Sequence, residues 1–239
     1  MICVSGLKKA FHGQVVLDGI DLQIPSGEVV AVLGSSGTGK SVLLLHLIGL
    51  MAPDAGQITI DGVEMTTMSE RALLKFRRNI GYLFQEGALY DFLTVAENIA
   101  FPLKEHARMR PAAIKAKVDE FLDLIDMNGA GEKYPAELSG GMKKRVALAR
   151  AMISGPKVLL CDEPTSGLDP IRSRDISGLI RDLSKKLGCT TIMTSHDIEH
   201  SFMVADRLVV LNNGRIVIDG TKEALRGSAD PFVREFLNS

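Results

Sequence analysis

A chain of 239 residues, 46% hydrophobic and 24% charged, has room for one sizeable core and the composition of an ordinary folded domain, which excludes a disordered chain. Its formal net charge of −1 supplies no overall field for attracting nucleic acid or an anionic membrane surface. Cys3, Cys161 and Cys189 are far apart and form no CxxC pair, which points to a reduced, cytosolic setting without a disulfide framework.

The opening MICVSGLKKAFHGQ lacks the basic stretch and long apolar run of a secretory leader. Residues 2–9 and 15–24 carry β-type apolar patterns, and Pro25-Ser26-Gly27 makes a turn. Residues 28–33, EVVAVL, form a continuous apolar run of buried-strand length, followed by a glycine-rich loop and an apolar helix over roughly 40–50. The longest apolar stretch, residues 42–52, is interrupted by His46 and Gly49 and is well short of the roughly 20 residues that cross a bilayer. Any action on a membrane is therefore expected to go through a partner. A strand over 56–61 and a polar helix over 69–78 come next.

From about 86 to 155 the pattern turns helical. Pro111 stands at a helix start, with Val118, Phe121, Leu122 and Ile125 on one face. Strand, helix and strand return at 157–161, 171–187 and 190–195. A closing pair at 207–211 and 215–219 flanks the hairpin turn Asn212-Asn213-Gly214. The layout is α/β, with a helical lobe inserted in the middle of one core.

Residues 34–41, GSSGTGKS, match GxxxxGK[ST] in full, between a predicted strand and a predicted helix. Gly34, Gly37 and Gly39 let the backbone of Ser35, Ser36 and Thr38 curl so that N–H groups converge on phosphate oxygens. Lys40 is expected at the β- and γ-phosphates of ATP, and Ser41 at Mg²⁺. An ordinary Gly/Ser connector is the competing reading, and the strand–helix context weighs against it. Further on, an apolar strand ends in Asp162 and Glu163. Asp162 suits Mg²⁺, a hard cation that prefers oxygen; Glu163, one residue beyond the metal-facing position, suits the base that polarises the attacking water. Alone, this pair has a serious rival reading as an acidic strand end capping the next helix; paired with the phosphate loop it does not. Cys161 reads as a small buried apolar residue. The absence of an NKxD motif disfavours a GTPase.

Leu138-Ser139-Gly140-Gly141-Met142 resembles the LSGGQ signature of the ABC ATPases, and the resemblance runs over nearly the whole chain. It implies a P-loop NTPase core with an antiparallel β-subdomain and an inserted α-helical subdomain, with the core at about 1–85 and 156–239 and the helical part at about 86–155. Ser139, Gly140 and Gly141 would bind the γ-phosphate of ATP held by a second copy, making a homodimer around an ATP sandwich. By the same resemblance Phe11 would stack on adenine, with a strand-core role as its alternative. Gln85 would link Mg²⁺ and water to the helical lobe, and Asp169, in Ser166-Gly167-Leu168-Asp169, would lie in the loop that crosses to the partner. His196 would be the switch residue at the γ-phosphate. Catalysis would thus fall to Glu163, His196 and Gln85, and the metal to Ser41, Gln85 and Asp162. Met142 departs from the usual glutamine.

His196 and His200 are spaced as in a helical zinc pair, but HDIEH lacks the Glu that should follow the first His, so zinc is not expected. His12, His46, His106 and His200 read as surface or packing residues. Lys143, Lys144, Arg145 and Arg150 read as a solvated helical face.

The wording FQEGALYDFLTVAENIAFPLKEH, with LSGGMKKRVALARAM, is similar to the ATPases of Mla/MCE-type phospholipid transporters. That similarity implies two integral membrane permease subunits docked on the segment 87–103, where Ala88, Leu89, Tyr90, Phe92 and Leu93 supply an apolar surface. It also implies an MCE-domain protein and a small cytoplasmic accessory subunit in the complex. The expected place is the cytoplasmic face of the inner membrane, with no nucleic acid bound. Two rivals stay open: the ATPase of another transporter, such as an amino-acid or lipoprotein system, and a non-transport ABC protein.

Overall fold

The computed structural model describes residues 1–106 and 109–237; the side chain of His106 lies outside what is described. In chain order the elements are β1 (Ile2–Phe11), β2 (Gln14–Ile24), β3 (Val29–Leu33), α1 (Lys40–Leu47), β4 (Ala55–Ile60), β5 (Val63–Glu64), α2 (Glu70–Phe76) and β6 (Ile80–Leu83). Then come α3 (Val95–His106), α4 (Pro111–Leu124), α5 (Gly140–Met152), β7 (Val158–Cys161), α6 (Pro170–Leu187) and β8 (Thr190–Ser195). The chain continues through α7 (Ile198–Val204), β9 (Arg207–Asn212), β10 (Arg215–Gly220), α8 (Lys222–Arg226) and α9 (Pro231–Leu237).

The strands form two sheets. One is antiparallel, in the order β2-β1-β4-β5; the other runs β10-β9-β3-β8-β7-β6, parallel except for the β9–β10 hairpin. All five residues of β3 are buried, as a central parallel strand covered on both faces requires. Alternate side chains divide between two cores. Val30, Val32, Leu160, Ile192 and Val209 pack with Leu43, Leu44 and Leu47 of α1 and with the antiparallel sheet. Ala31, Leu33, Leu159, Met193 and Leu208 face the helices, where Val146 and Met152 of α5 and Ile176 and Ile180 of α6 cover them. The same core continues outward through Ile99 of α3 to Val118 and Phe121 of α4, joining the inserted helices to the sheet.

Helix boundaries follow local chemistry. The segment 84–94 is irregular, and helix begins only at Val95, later than the periodicity suggests. The reason is a capping box: Thr94 N donates to Glu97 Oε2 at 2.9 Å and Glu97 N to Thr94 Oγ1 at 3.2 Å. Asp169 caps α6, Pro170 opens it, and Gly188 (φ 64°) ends it. The β9–β10 turn is the two-residue type I′ form, with Asn213 and Gly214 both at positive φ (45° and 73°). The run at residues 80–84 supplies the edge strand β6, for which the sequence alone shows only apolarity. Among the described helices none is long and apolar enough to cross a membrane, and all three cysteines are free.

Candidate functional site

Register places the site. Leu33 pairs with Ser195, Cys161 with Met193, and Leu83 with Cys161, so β3, β8, β7 and β6 end side by side. The residues just past those ends are Gly34, His196, Asp162 and Gln85. Ligands of open parallel sheets bind in the crevice beyond the carboxyl ends of the strands.

The phosphate loop needs glycine at two close approaches. At Gly34 a Cβ would lie 2.4 Å from the Leu211 carbonyl oxygen; at Gly39 (φ 99°) it would lie 2.9 Å from both Val16 O and Leu17 Cδ2. Lys40, only 4% exposed, donates to Gly34 O at 2.7 Å and Ser35 O at 3.0 Å, and stands 3.6 Å from Glu163 Oε1. Burial holds its ammonium below the ordinary lysine pKa of 10.5, against the pull of Glu163. Thr38 donates its hydroxyl to Ser35 O at 2.9 Å, closing the loop on itself.

Asp162 is the hub. Its Oδ1 accepts from Ser41 Oγ at 2.9 Å and from Thr194 Oγ1 at 2.8 Å, and Tyr82 OH approaches Oδ2 at 3.5 Å. Burial raises the Tyr82 pKa above its usual value of 10.0, so the phenol keeps the proton it donates. Thr194 stands in no sequence motif; the pairing of β7 with β8 is what reveals it. It also accepts from Glu163 N at 2.9 Å, and so holds Glu163 in an unusual backbone conformation, φ 42°. Such a residue costs on the order of 1–3 kcal/mol and persists where surrounding structure imposes it. The Glu163 carboxylate then lies between two cations or potential cations, Lys40 and His196, whose Nδ1 is 3.3 Å from Oε2. Two oxygen donors, Ser41 Oγ and Asp162 Oδ1, converge in a set chemically suited to Mg²⁺. Gln85 is not joined to them among the described residues: its Nε2 donates to Ser166 Oγ at 3.2 Å.

The remaining expected residues lie elsewhere. Phe11 is 37% exposed at the end of β1, with Lys9 Nζ 5.5 Å from its ring centre, so it is not a strand-core residue. Ser139 caps α5, accepting from Met142 N at 3.4 Å, and both Ser139 and Gly140 are exposed. Gly140 and Gly141 face Leu168 and Arg172, so the signature abuts the loop that ends in Asp169. Asp169 accepts from Arg172 N at 3.0 Å, a bond that lowers its carboxyl pKa. Met142 packs against the helical core, an apolar use of that position. His46 is buried, and the His200 ring sits 2.5 Å from Asp197 Oδ2 and 3.2 Å from Pro170 O.

Three of the four basic residues on α5 are not the solvated face expected of them. Lys144 is 6% exposed and donates to Gln85 O, and burial lowers its pKa. Arg150 donates to Gly87 O and Ala88 O, both at 2.7 Å, and Arg145 to Ile125 O at 2.7 Å. These are clamps on backbone carbonyls rather than a solvated face. The sequence does carry a signal: Lys144 falls three and four residues before Ala147 and Leu148, within the apolar face of the helix.

Fold and site together define a phosphate-loop nucleotide hydrolase. Residues 17–166 match the model of the ABC transporter family. The probable ribonucleotide transport ATP-binding protein mkl of Mycobacterium leprae (strain TN) is 42% identical over 235 residues, 98% of this chain and 68% of that protein. Its counterpart in Mycobacterium tuberculosis (strain ATCC 25618 / H37Rv) is 43% identical, over 98% of this chain and 66% of that protein. This chain therefore spans about two thirds of the length of those relatives. The methionine import ATP-binding protein of Carboxydothermus hydrogenoformans is 40% identical over 243 residues, covering 100% and 72%. Among solved structures, a dimeric ATP-binding cassette in a post-hydrolysis state with ADP and Pi superposes with a TM-score of 0.84. It is 30% identical, with 92% of this chain and 98% of that one covered. The chain belongs to the ABC transporter family as an ATP-binding cassette, an ATPase that works with ATP and Mg²⁺.

Proposed function

We propose that this cassette works as a homodimer that sandwiches two ATP molecules and powers a membrane transporter, with phospholipid as the cargo in the Mla/MCE manner. The observation that carries the ATP chemistry is the meeting of Lys40, Glu163 and His196 beside the Ser41–Asp162 pair. In this reading the N–H groups of residues 34–41 and the Lys40 ammonium take the phosphates, while Phe11 stacks on adenine. Ser41 and Asp162, with Gln85, would hold Mg²⁺, which would supply positive charge to offset that of the phosphates. Glu163 accepts a proton from water as the water oxygen bonds to the γ-phosphorus and ADP leaves; His196 orients that water. Ser139, Gly140 and Gly141 serve the partner's ATP, which fits the exposure of Ser139 and Gly140 at the N-terminus of α5. Asp169 helps carry the loop 166–169 towards the partner.

The division into a core (about 1–85 and 156–239) and a helical subdomain (about 86–155) goes with this reading. A groove of 570 Å³ lies where the two meet, lined by Tyr82, Phe84, Ala88, Tyr90, Phe101 and Arg150 among others. The Tyr90 ring lies tilted against Phe101, with centres 4.7 Å apart, and against the exposed Phe92 at 5.7 Å. An aromatic groove of this kind suits an amphipathic helix of a permease on the cytoplasmic face of the membrane. An MCE-domain protein and a small accessory subunit would complete the complex. The names of the relatives range over ribonucleotide, methionine and sulfate transport. The phospholipid reading rests instead on the residue pattern of 84–106 and 138–152; an import ATPase of another cargo is the second reading.

Glu163→Gln tests the chemistry: ATP binding is retained, turnover is nearly abolished and the dimer is trapped, whereas normal hydrolysis removes Glu163 as the base. Purification from detergent-solubilised membranes, with lipid analysis by mass spectrometry, tests the cargo. Recovery of a permease without phospholipid overturns the finer reading.

A further inference from the structure

We propose that Lys144 is a positioning residue that sets Gln85 for the metal by fixing its backbone carbonyl to the helix that carries the signature. The proposal rests on the reading of Gln85 as a metal-linking residue and adds the part that aims it.

Gln85 itself is exposed, just past β6, at the start of the irregular segment 84–94. Among the described residues its side chain is held by the Ser166 hydroxyl alone. A group so lightly held needs its backbone anchored if its amide is to reach one place repeatedly. The anchor is a buried cation: Lys144 Nζ donates to Gln85 O, the single hydrogen-bond partner of that ammonium among the described residues. A lysine is rarely this buried unless paired, and here the pairing is to a neutral carbonyl rather than a carboxylate.

Two neighbours strengthen the joint. Arg150, six residues further along α5, donates to Gly87 O and Ala88 O and lies 5.7 Å from the Tyr90 ring centre. Gly87 (φ 75°) and Ala88 (φ 47°) turn the segment back on α5, and a Cβ at Gly87 would already lie 3.4 Å from Ala147 Cβ. Lys144 and Arg150 thus grip three carbonyls of residues 85–88 from one 13-residue helix. That helix is capped at its other end by Ser139, at the partner-facing site. A shift of α5 caused by the partner's ATP or by an occupant of the groove therefore moves Gln85 through Lys144.

The test is ATP hydrolysis by the full-length dimer against Mg²⁺, for Lys144→Met and Lys144→Arg. Groups that orient metal ligands typically change metal affinity or activity by about 10- to 100-fold when removed. For Lys144→Met the expected result is a rise of that order in the Mg²⁺ needed for half-maximal turnover, or a matching loss of kcat. The Kd for ATP without metal should stay within about threefold of wild type, a split that general loosening would not produce. Lys144→Arg, which keeps a cation for the carbonyl, should recover most of the loss. If Lys144→Met melts non-cooperatively, Lys144→Leu, which likewise has no donor for the carbonyl, takes its place under the same outcomes. Wild-type Mg²⁺ dependence and kcat in a folded variant overturn the proposal, as does a failure of Lys144→Arg to exceed Lys144→Met. Gln85→Ala, measured alongside, separates the two readings. If Gln85→Ala itself leaves Mg²⁺ dependence unchanged, the role of Gln85 fails; if only Gln85→Ala changes it, Lys144 fails.

Discussion

The Ser41 hydroxyl donates to Asp162 Oδ1 at 2.9 Å across 121 positions of sequence. That bond joins the start of α1 to the end of β7 and brings two oxygen donors together. Because the same Asp162 oxygen also accepts from Thr194, the donors are held from two sides.

Ser41→Ala should therefore retain nucleotide binding but lose hydrolysis at ordinary Mg²⁺, with partial recovery at high Mg²⁺. Groups that only orient a metal ligand contribute about 10- to 100-fold in metal affinity, so loss of one such oxygen should cost at least that order. Titration of ATPase rate against Mg²⁺ checks it, and an unchanged midpoint removes Ser41 from the metal site.

Gly39→Ala should be more damaging than its size implies. The backbone sits at φ 99°, and the new Cβ would press on Val16 O and Leu17 Cδ2 at 2.9 Å. Strain of this kind costs on the order of 1–3 kcal/mol, and relief by moving the loop would misplace Lys40. Lower stability in urea together with weaker binding of a fluorescent ATP analogue is the expected pair of results. Wild-type values in both would mean that the loop tolerates the shift.

How much of this was legible in the sequence differs by residue. GSSGTGKS, Asp162-Glu163 and the signature are contiguous words, and their order along the chain settles the reading of the shorter two. Thr194 carries no such word; its role exists because β8 lies beside β7. Lys144 misled for a related reason: in a run of basic residues, charge suggests solvent, and only the packing of α5 on residues 85–88 shows that it points inward. The late start of α3 at Val95 was available in Thr94 and Glu97, whose spacing is that of a capping box.

Asp18 offers a pH test. Its carboxylate takes Arg215 Nη2 at 2.6 Å and Nε at 3.0 Å, tying β2 to the hairpin strand β10, with Lys8 Nζ at 3.3 Å. The Arg215 hydrogen bond, chiefly, lowers its pKa below the ordinary 3.8. A lowered carboxyl pKa adds stability above the unfolded value and loses it as pH falls through the folded one. Asp18→Asn should accordingly be less stable than wild type near neutral pH, with the gap shrinking as pH drops below 3.8. Chemical denaturation over a pH series checks the sign, and a gap that widens in acid contradicts it.

The groove beside Tyr90 makes a prediction in which two neighbouring residues separate. The sequence reading grouped Leu89 and Phe92 as a docking surface, but Leu89 packs against the helical core while Phe92 is 76% exposed. Replacing Leu89 by Ala removes buried contacts, and about 1–3 kcal/mol of stability should go with them, less than for a fully buried leucine. Phe92→Ser removes little packing, so the melting temperature and the ATPase rate of the isolated dimer should stay near wild type. Its effect should appear only when the membrane partner is present, as weaker co-purification from detergent extracts and loss of transport-coupled hydrolysis. Exposed aromatics are the usual source of binding energy at such surfaces, and a central one contributes about 2 kcal/mol or more. Should Phe92→Ser recover the permease as well as wild type, the docking helix must bind elsewhere on the cassette.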